Sequence, residues 1–129
     1  MKNVFEYEKN KHILAFTTQG GHVTGDLMKA IKFRSPDTII KLQQEINKGV
    51  EIGDVFVIGH YVFIILKKHY NSKIKNEEFE IMMNKVAPRL SKYNLKTTNE
   101  DYPNLKETIK NYLPDIEYCD TSAWGTWKK

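Results

Sequence analysis

The chain has 129 residues, 40% hydrophobic and 28% charged, with a formal net charge of +4. That is enough for one ordinary domain with a buried core, and it excludes a disordered or fibrous chain. A single cysteine, Cys119, excludes an intramolecular disulfide and a cysteine-rich zinc site.

The lysines are spread along the chain and the arginines are Arg34 and Arg89 alone. A solvated face explains that pattern better than a nucleic-acid stripe does, so nucleic acid is disfavoured as the main target. No apolar run approaches the roughly 18 residues of a membrane helix, so a membrane partner is not expected. The opening residues Met1–Glu6 do not read as a signal peptide. Together these predict a cytoplasmic protein. The lysine-rich, arginine-poor composition suits an AT-rich genome such as that of a phage or a low-GC bacterium; for a phage protein the compartment would be the host cytoplasm.

No repeat or long linker divides the chain, so residues 1–129 are read as one domain with a C-terminal tail from about residue 120. Asn3 to Tyr7 is expected as a short edge strand. Lys11 to Thr17 reads as a buried strand running into Gly20-Gly21-His22-Val23-Thr24-Gly25. A helix is expected from about Gly25, with Leu27, Ala30 and Ile31 on one face. At Ser35-Pro36-Asp37 a second helix begins, Ser35 capping it and Pro36 in its first turn. Ile39, Leu42 and Ile46 give its buried stripe, and Gly49 ends it.

Val55–Ile58 and Tyr61–Leu66 read as adjacent strands joined at Gly59-His60. The next helix is capped by Asn76 and carries Phe79, Met82, Met83, Val86 and Leu90, with Pro88 predicting a kink or early end. Tyr93 to Thr97 is a short strand. A last helix starts at Asp101-Tyr102-Pro103, and Ile116 to Cys119 closes the sheet. Strands alternating with helices predict an α/β fold, a mixed or mostly parallel sheet with helices packed on it.

Chemistry concentrates in the glycine loop. Glycines at a strand-to-helix junction admit unusual backbone angles and let N–H groups approach a ligand. With the positive end of the following helix, they form an anion site. Neither G-x-x-x-x-G-K-[ST] nor G-x-G-x-x-G occurs, which disfavours the P-loop and dinucleotide-binding forms. A tight turn with no ligand is the plainer reading of the same glycines. His22 is either a proton donor near the ligand or an exposed loop histidine. Asp26 is either a water-positioning carboxylate or a residue placed to suit the helix dipole.

His60 and His69 match no common metal-ligand spacing and read as structural; no metal site is expected. Cys119 reads as a packed thiol, and Ser35 and Ser91 lie in no nucleophile motif. Trp124 and Trp127 lie in the tail, where packing back over the core is the default reading.

Gly20 to Ala30, Gly-Gly-His-Val-Thr-Gly-Asp-Leu-Met-Lys-Ala, resembles the G-G-G-V-x-G-x-[IL]-x-x-A segment of the macrodomain family. It lies after an early buried strand, as it does in that family, and the order of elements is similar over nearly the whole chain. His22 stands in place of the third glycine. The resemblance implies a three-layer mixed sheet flanked by helices. It also implies that the loop lines the distal ribose and diphosphate of ADP-ribose or a related nucleotide, with no separate cofactor.

On that resemblance the ligand-binding residues are Thr17, Thr18, Gly20, Gly21, His22, Val23, Thr24 and Gly25, with Thr98 and Asn99 from a second loop. Thr17 or Thr18 stands where many members have asparagine. For a catalytic member the implied reaction is hydrolysis at the distal ribose, removing a 1″-phosphate or an ADP-ribosyl group from an ADP-ribosylated macromolecule. His22 and Asp26 would then be the catalytic residues. A non-catalytic reader or sponge for an ADP-ribose-type signal is the alternative. A protein-interaction module using the tryptophan tail is a further one.

Overall fold

Strand β1 (Lys11–Thr18) runs through the centre of the sheet and is buried from Ile13 to its end. The computed structural model describes residues 2–23, 25–69, 71–98 and 102–121. After β1 come α1 (Gly25–Arg34), α2 (Pro36–Asn47), β2 (Val55–Ile58), β3 (Tyr61–Lys67) and α3 (Asn76–Leu90). They are followed by β4 (Asn94–Thr98), a 3-10 turn at Pro103–Leu105, α4 (Lys106–Tyr112) and β5 (Glu117–Cys119). Trp124 and Trp127 lie outside the described residues, as do Thr24 and Asn99.

The described strands form one five-stranded sheet in the order β2-β3-β1-β4-β5. Only the β2–β3 hairpin is antiparallel; β1 pairs parallel with β3 and with β4, and β4 with β5. Central strands buried on both faces need apolar side chains at consecutive positions, which is why β1 and β3 read as continuous apolar runs.

The alternation splits those side chains between two cores. Ile13, Ala15, Phe63 and Ile65 face α1 and α2, meeting Leu27, Met28, Ile31, Leu42 and Ile46. Leu14, Phe16, Val62 and Ile64 face α3 and α4, meeting Phe79, Met83, Val86, Leu90 and Ile109. The result is the expected mixed sheet between two helical layers.

The two sides of β1 pair to different extents. With β3 the register runs from Ile13↔Tyr61 to Thr18↔Lys67, with an irregularity between Thr17 and Thr18. With β4 it covers only Lys11↔Asn94 to Ile13↔Lys96. From the carboxyl end of β1 the chain passes through α1 and α2 to β2 and β3 on one side of it, and from the carboxyl end of β3 it crosses through α3 to β4 on the other. The carboxyl end of β1 is thus a topological switch point, the place where open α/β sheets form a ligand crevice.

Several local expectations are corrected. Asn3 to Tyr7 is not a strand: Asn3 makes one isolated parallel bridge to Asp120, and Asn3 Oδ1 accepts the Phe5 N–H at 2.9 Å, turning the chain away. Ser35 occupies the N-cap position of α2, yet its side chain makes no capping bond; Ser35 Oγ lies 3.2 Å from Tyr61 Oη instead. Asn76 is the first residue of α3 rather than its cap, which is Lys75. Pro88 does lie within α3, and the helix ends two residues later at Leu90.

Candidate functional site

The site is built where β1 runs out. Thr17 and Thr18 are both buried, at 3% and 1% exposure, and both hydroxyls serve the glycine loop. Thr17 Oγ1 donates to the His22 carbonyl at 3.3 Å. Thr18 Oγ1 accepts the His22 N–H at 3.2 Å and lies 2.8 Å from His22 Nδ1. The Gly21 N–H donates to the Thr18 carbonyl at 3.0 Å. Two strand-end hydroxyls therefore fold the loop back over the sheet edge.

The glycines are used for different reasons. Gly21 has φ +71° and Gly25 φ +81°, conformations that L side chains resist. At Gly20 the constraint is space, since a Cβ there would lie 2.5 Å from His22 Cε1. The imidazole lies over Gly20 because nothing projects from it. Val23 is half-buried and packs against the core under α1 and α2.

A second imidazole meets the first. The His69 ring, in the loop after β3, stands 4.8 Å from the His22 ring at 70°, an edge-to-face arrangement. Its place is fixed locally: the His69 N–H donates to Ser72 Oγ at 3.2 Å, and His69 Nδ1 accepts the Asn71 N–H at 3.3 Å. Sequence spacing gave no hint of this, because the 47-residue gap between the two histidines is closed by the parallel pairing of β1 and β3.

Lys67 enters the site the same way. It is the β3 partner of Thr18, its carbonyl accepts the Gln19 N–H at 3.0 Å, and its Nζ stands 5.9 Å from the Tyr102 ring centroid. Tyr102 in turn packs edge-on against Phe16 at 5.8 Å. The residues that flank the loop and that sequence reading missed are thus Lys67, His69 and Tyr102.

Asp26 is exposed in the first turn of α1. Thr98 ends β4, and its Oγ1 is buried without a hydrogen-bond partner among the described residues, whereas Thr97 Oγ1 donates to the Leu14 carbonyl at 2.7 Å. Thr24 and Asn99 lie outside the described residues. Cys119 is buried, and burial pushes its thiol above its ordinary range, as suits a packed side chain. No group of three His, Cys, Asp or Glu side chains among the described residues is arranged to hold a metal ion. No helix of the described residues is long and apolar enough to cross a membrane.

Chemically, this end of the sheet combines a loop of constrained glycines, a helix N-terminus, a lysine, two imidazoles in contact and an aromatic ring. Comparison with solved structures identifies the architecture. The macrodomain of Thermus aquaticus DarG superposes with a TM-score of 0.67 at 16% identity, covering 90% of this chain and 91% of that one. That of Mycobacterium tuberculosis DarG gives 0.67 at 13%, covering 92% and 91%. The chain has the macrodomain fold.

A third structure, Thermosipho africanus DarTG in complex with ADP-ribose, matches with a TM-score of 0.65 at 12% identity. There the overlap is 84% of this chain and 37% of that one. No protein-family model and no curated protein matches the sequence. Within the macrodomain fold, the glycine loop of this chain lies at the carboxyl end of the central strand and opens α1.

Proposed function

We propose that this macrodomain-fold chain binds ADP-ribose or a nucleotide derived from it at the carboxyl end of β1. The observation that carries the reading is the loop itself: glycines in left-handed conformations at Gly21 and Gly25 lead from a switch-point strand into a helix N-terminus. The fold shared with a structure that holds ADP-ribose supports the same ligand class.

The Gly21 and His22 N–H groups are engaged by Thr18. In this reading the diphosphate is held from the helix side, by the first turn of α1 and its dipole. Lys67 supplies the positive charge from the neighbouring strand, and Tyr102 offers a ring face. Val23 and Thr98 belong to the proposed walls, and the macrodomain resemblance adds Thr24 and Asn99 to the proposed ligand-binding residues.

For turnover, the reading assigns hydrolysis at the distal ribose, with His22 moving the proton. Thr18 Oγ1 has two lone pairs, enough to accept both the His22 N–H and a proton carried on Nδ1. In that tautomer Nε2 is the nitrogen that exchanges protons, and Thr18 fixes the ring plane. A positioned imidazole of this kind contributes roughly 10²–10⁴-fold in rate. Asp26 then serves to position water. The same geometry without turnover is a reader of ADP-ribose-type signals, and the constrained His22 is the feature that favours an enzyme.

Calorimetry with ADP-ribose tests binding: a saturable isotherm is expected, and no heat or thermal shift at roughly millimolar ligand, a binding energy weaker than about 4 kcal/mol, overturns the reading. Incubation with ADP-ribose 1″-phosphate and with ADP-ribosylated protein tests turnover. His22→Ala is expected to keep binding and to lose rate.

A further inference from the structure

The two layers beside the sheet cover it unequally. On the α3 and α4 face the apolar cluster takes side chains from every strand, Leu95 of β4 and Tyr118 of β5 included. On the α1 and α2 face it takes none from β4 among the described residues, and beyond β1 it holds only Cys119, Val4 and the flank of Phe5. A cavity of about 480 Å³ is left there, at the amino end of the sheet. Its floor is Ile13 and Tyr61, with Ser35 at the α1–α2 junction on one wall and Phe5 to Glu8 on the other. We propose that the chain's own segment 122–129, which carries Trp124 and Trp127, docks in this cavity and completes the layer.

The path of the chain leads there. The Asp120 N–H donates to the Lys2 carbonyl at 2.9 Å, and the Val4 N–H to the Asp120 carbonyl at 2.8 Å. The chain therefore arrives beside Val4, one residue from the cavity wall at Phe5. Thr121, the last described residue, is still buried at 7% exposure, so the segment starts from a point held against the domain. An extended chain carries Trp124 and Trp127 at most about 10 Å and 20 Å beyond Thr121, which brings this wall within reach.

The same corner is where aromatic rings meet water. Among the described residues the exposed aromatic side chains are Tyr7, at 86%, and Phe33, at 62%. Tyr7 lines the cavity, and Phe33 precedes Arg34, whose guanidinium lies 4.7 Å over the Phe5 ring centroid. Rings of this kind pair with indoles edge-on or offset, and each indole left in water forfeits roughly 150–250 Å² of burial. A volume of 480 Å³ lies in the lower half of the range for enclosed sites, which suits aromatic side chains rather than a dinucleotide.

Charge agrees with the same occupant. Lys128 and Lys129 follow Trp127 directly. On the cavity wall Glu8 is already held by Lys2, Lys11 and Lys96. Glu6, also on the wall, is exposed and forms no salt bridge among the described residues. A lysine arriving with the segment meets Glu6. Such an exposed pair adds little energy and serves to set which way the segment lies.

The test uses the full chain, in which Trp124 and Trp127 are the only tryptophans, so their fluorescence reports the segment alone. Emission to the blue of a free tryptophan amide is expected, with weaker quenching by acrylamide. NMR contacts are expected from indole ring protons to the rings of Phe5, Tyr7 and Phe33. Tyr7→Ser and Phe33→Ser alter exposed side chains, so far-UV circular dichroism should be unchanged while quenching rises toward that of the free amide. Emission and quenching equal to the free amide would overturn the proposal, as would indole contacts gathered at Lys67 and Tyr102. Protection that is lost on dilution would assign the segment to a second copy and overturn it too. Quenching unaltered in both variants would do the same.

Discussion

His22 Nδ1 lies 2.8 Å from Thr18 Oγ1, and the same oxygen accepts the His22 backbone N–H at 3.2 Å. One buried hydroxyl at the end of the central strand thus sets both the loop's backbone and the orientation of its imidazole. The strand end is rigid because it is buried between two helical layers, so the loop inherits its geometry from the core.

Thr18→Val keeps the shape and removes the hydroxyl. The His22 N–H then loses its side-chain acceptor, at a cost of about 1–2 kcal/mol. For a domain of this size that lowers Tm by roughly 3–7 °C in a thermal melt. If His22 moves the proton, the variant also loses rate and its pH–rate profile changes shape, whereas ADP-ribose affinity changes little. A profile parallel to that of the unmodified protein would remove the positioning role.

Gly20→Ala and Gly21→Ala separate space from backbone strain. At Gly20 the added Cβ displaces the His22 ring, so the variant is expected to lose the Thr18 contact while staying folded. At Gly21 the neighbour is the end of the half-buried Gln43 side chain, a flexible group that can shift at the expense of its 3.0 Å hydrogen bond to Asn47 Oδ1. The cost there is the left-handed φ of +71°, about 1 kcal/mol. NMR shifts of the His22 ring protons should move strongly in the first variant and weakly in the second.

Much of the fold was legible from apolar patterning. Tyr61–Leu66 and the shorter Ile13–Phe16 are apolar runs, and the stripe Phe79, Met82, Met83, Val86, Leu90 marks α3 without ambiguity. The failures are local and polar. Asn3 to Tyr7 has strand-like residues, yet the Asn3 side chain bends the chain after a single bridge. Ser35 and Asn76 are residue types that cap, but the Ser35 hydroxyl meets Tyr61 and Asn76 falls one position inside its helix. The glycine loop was readable because its residue types are unusual; Lys67 and His69 were not, because parallel pairing brings them there and spacing carries no trace of it.

Lys67→Met tests the missed half of the site. Losing a charged donor to the diphosphate costs about 1.5–3 kcal/mol, a ten- to hundredfold weaker Kd for ADP-ribose. Because the contact is ionic and near the surface, the difference from the unmodified chain should shrink as salt rises. Calorimetry at low and high ionic strength reads both effects; equal affinities at low salt would exclude Lys67 from the site.

Acid stability depends on the opposite end of the sheet. The Lys2 ammonium, hydrogen-bonded to Glu8 at 2.9 Å, followed by Lys96 and Lys11, holds the Glu8 carboxyl down to about 2. A carboxyl whose folded value lies below its ordinary 4.5 stabilises the fold fully above that value. The contribution disappears as pH falls from about 4.5 toward 2. Glu8→Gln is therefore expected to lower Tm at neutral pH and to flatten its fall across that acid window. Parallel curves for the two proteins would show that the cluster around Glu8 contributes nothing to acid sensitivity.

The most direct test of the central claim is a 1H–15N NMR titration with ADP-ribose. Binding at the carboxyl end of β1 predicts saturable shifts concentrated at Gly20, Gly21, His22, Asp26 and Leu27, and across the strand at Lys67 and His69. Absence of saturable shifts, or shifts gathered instead at Lys11, Tyr61 and Lys96 on the amino end of the sheet, would contradict it.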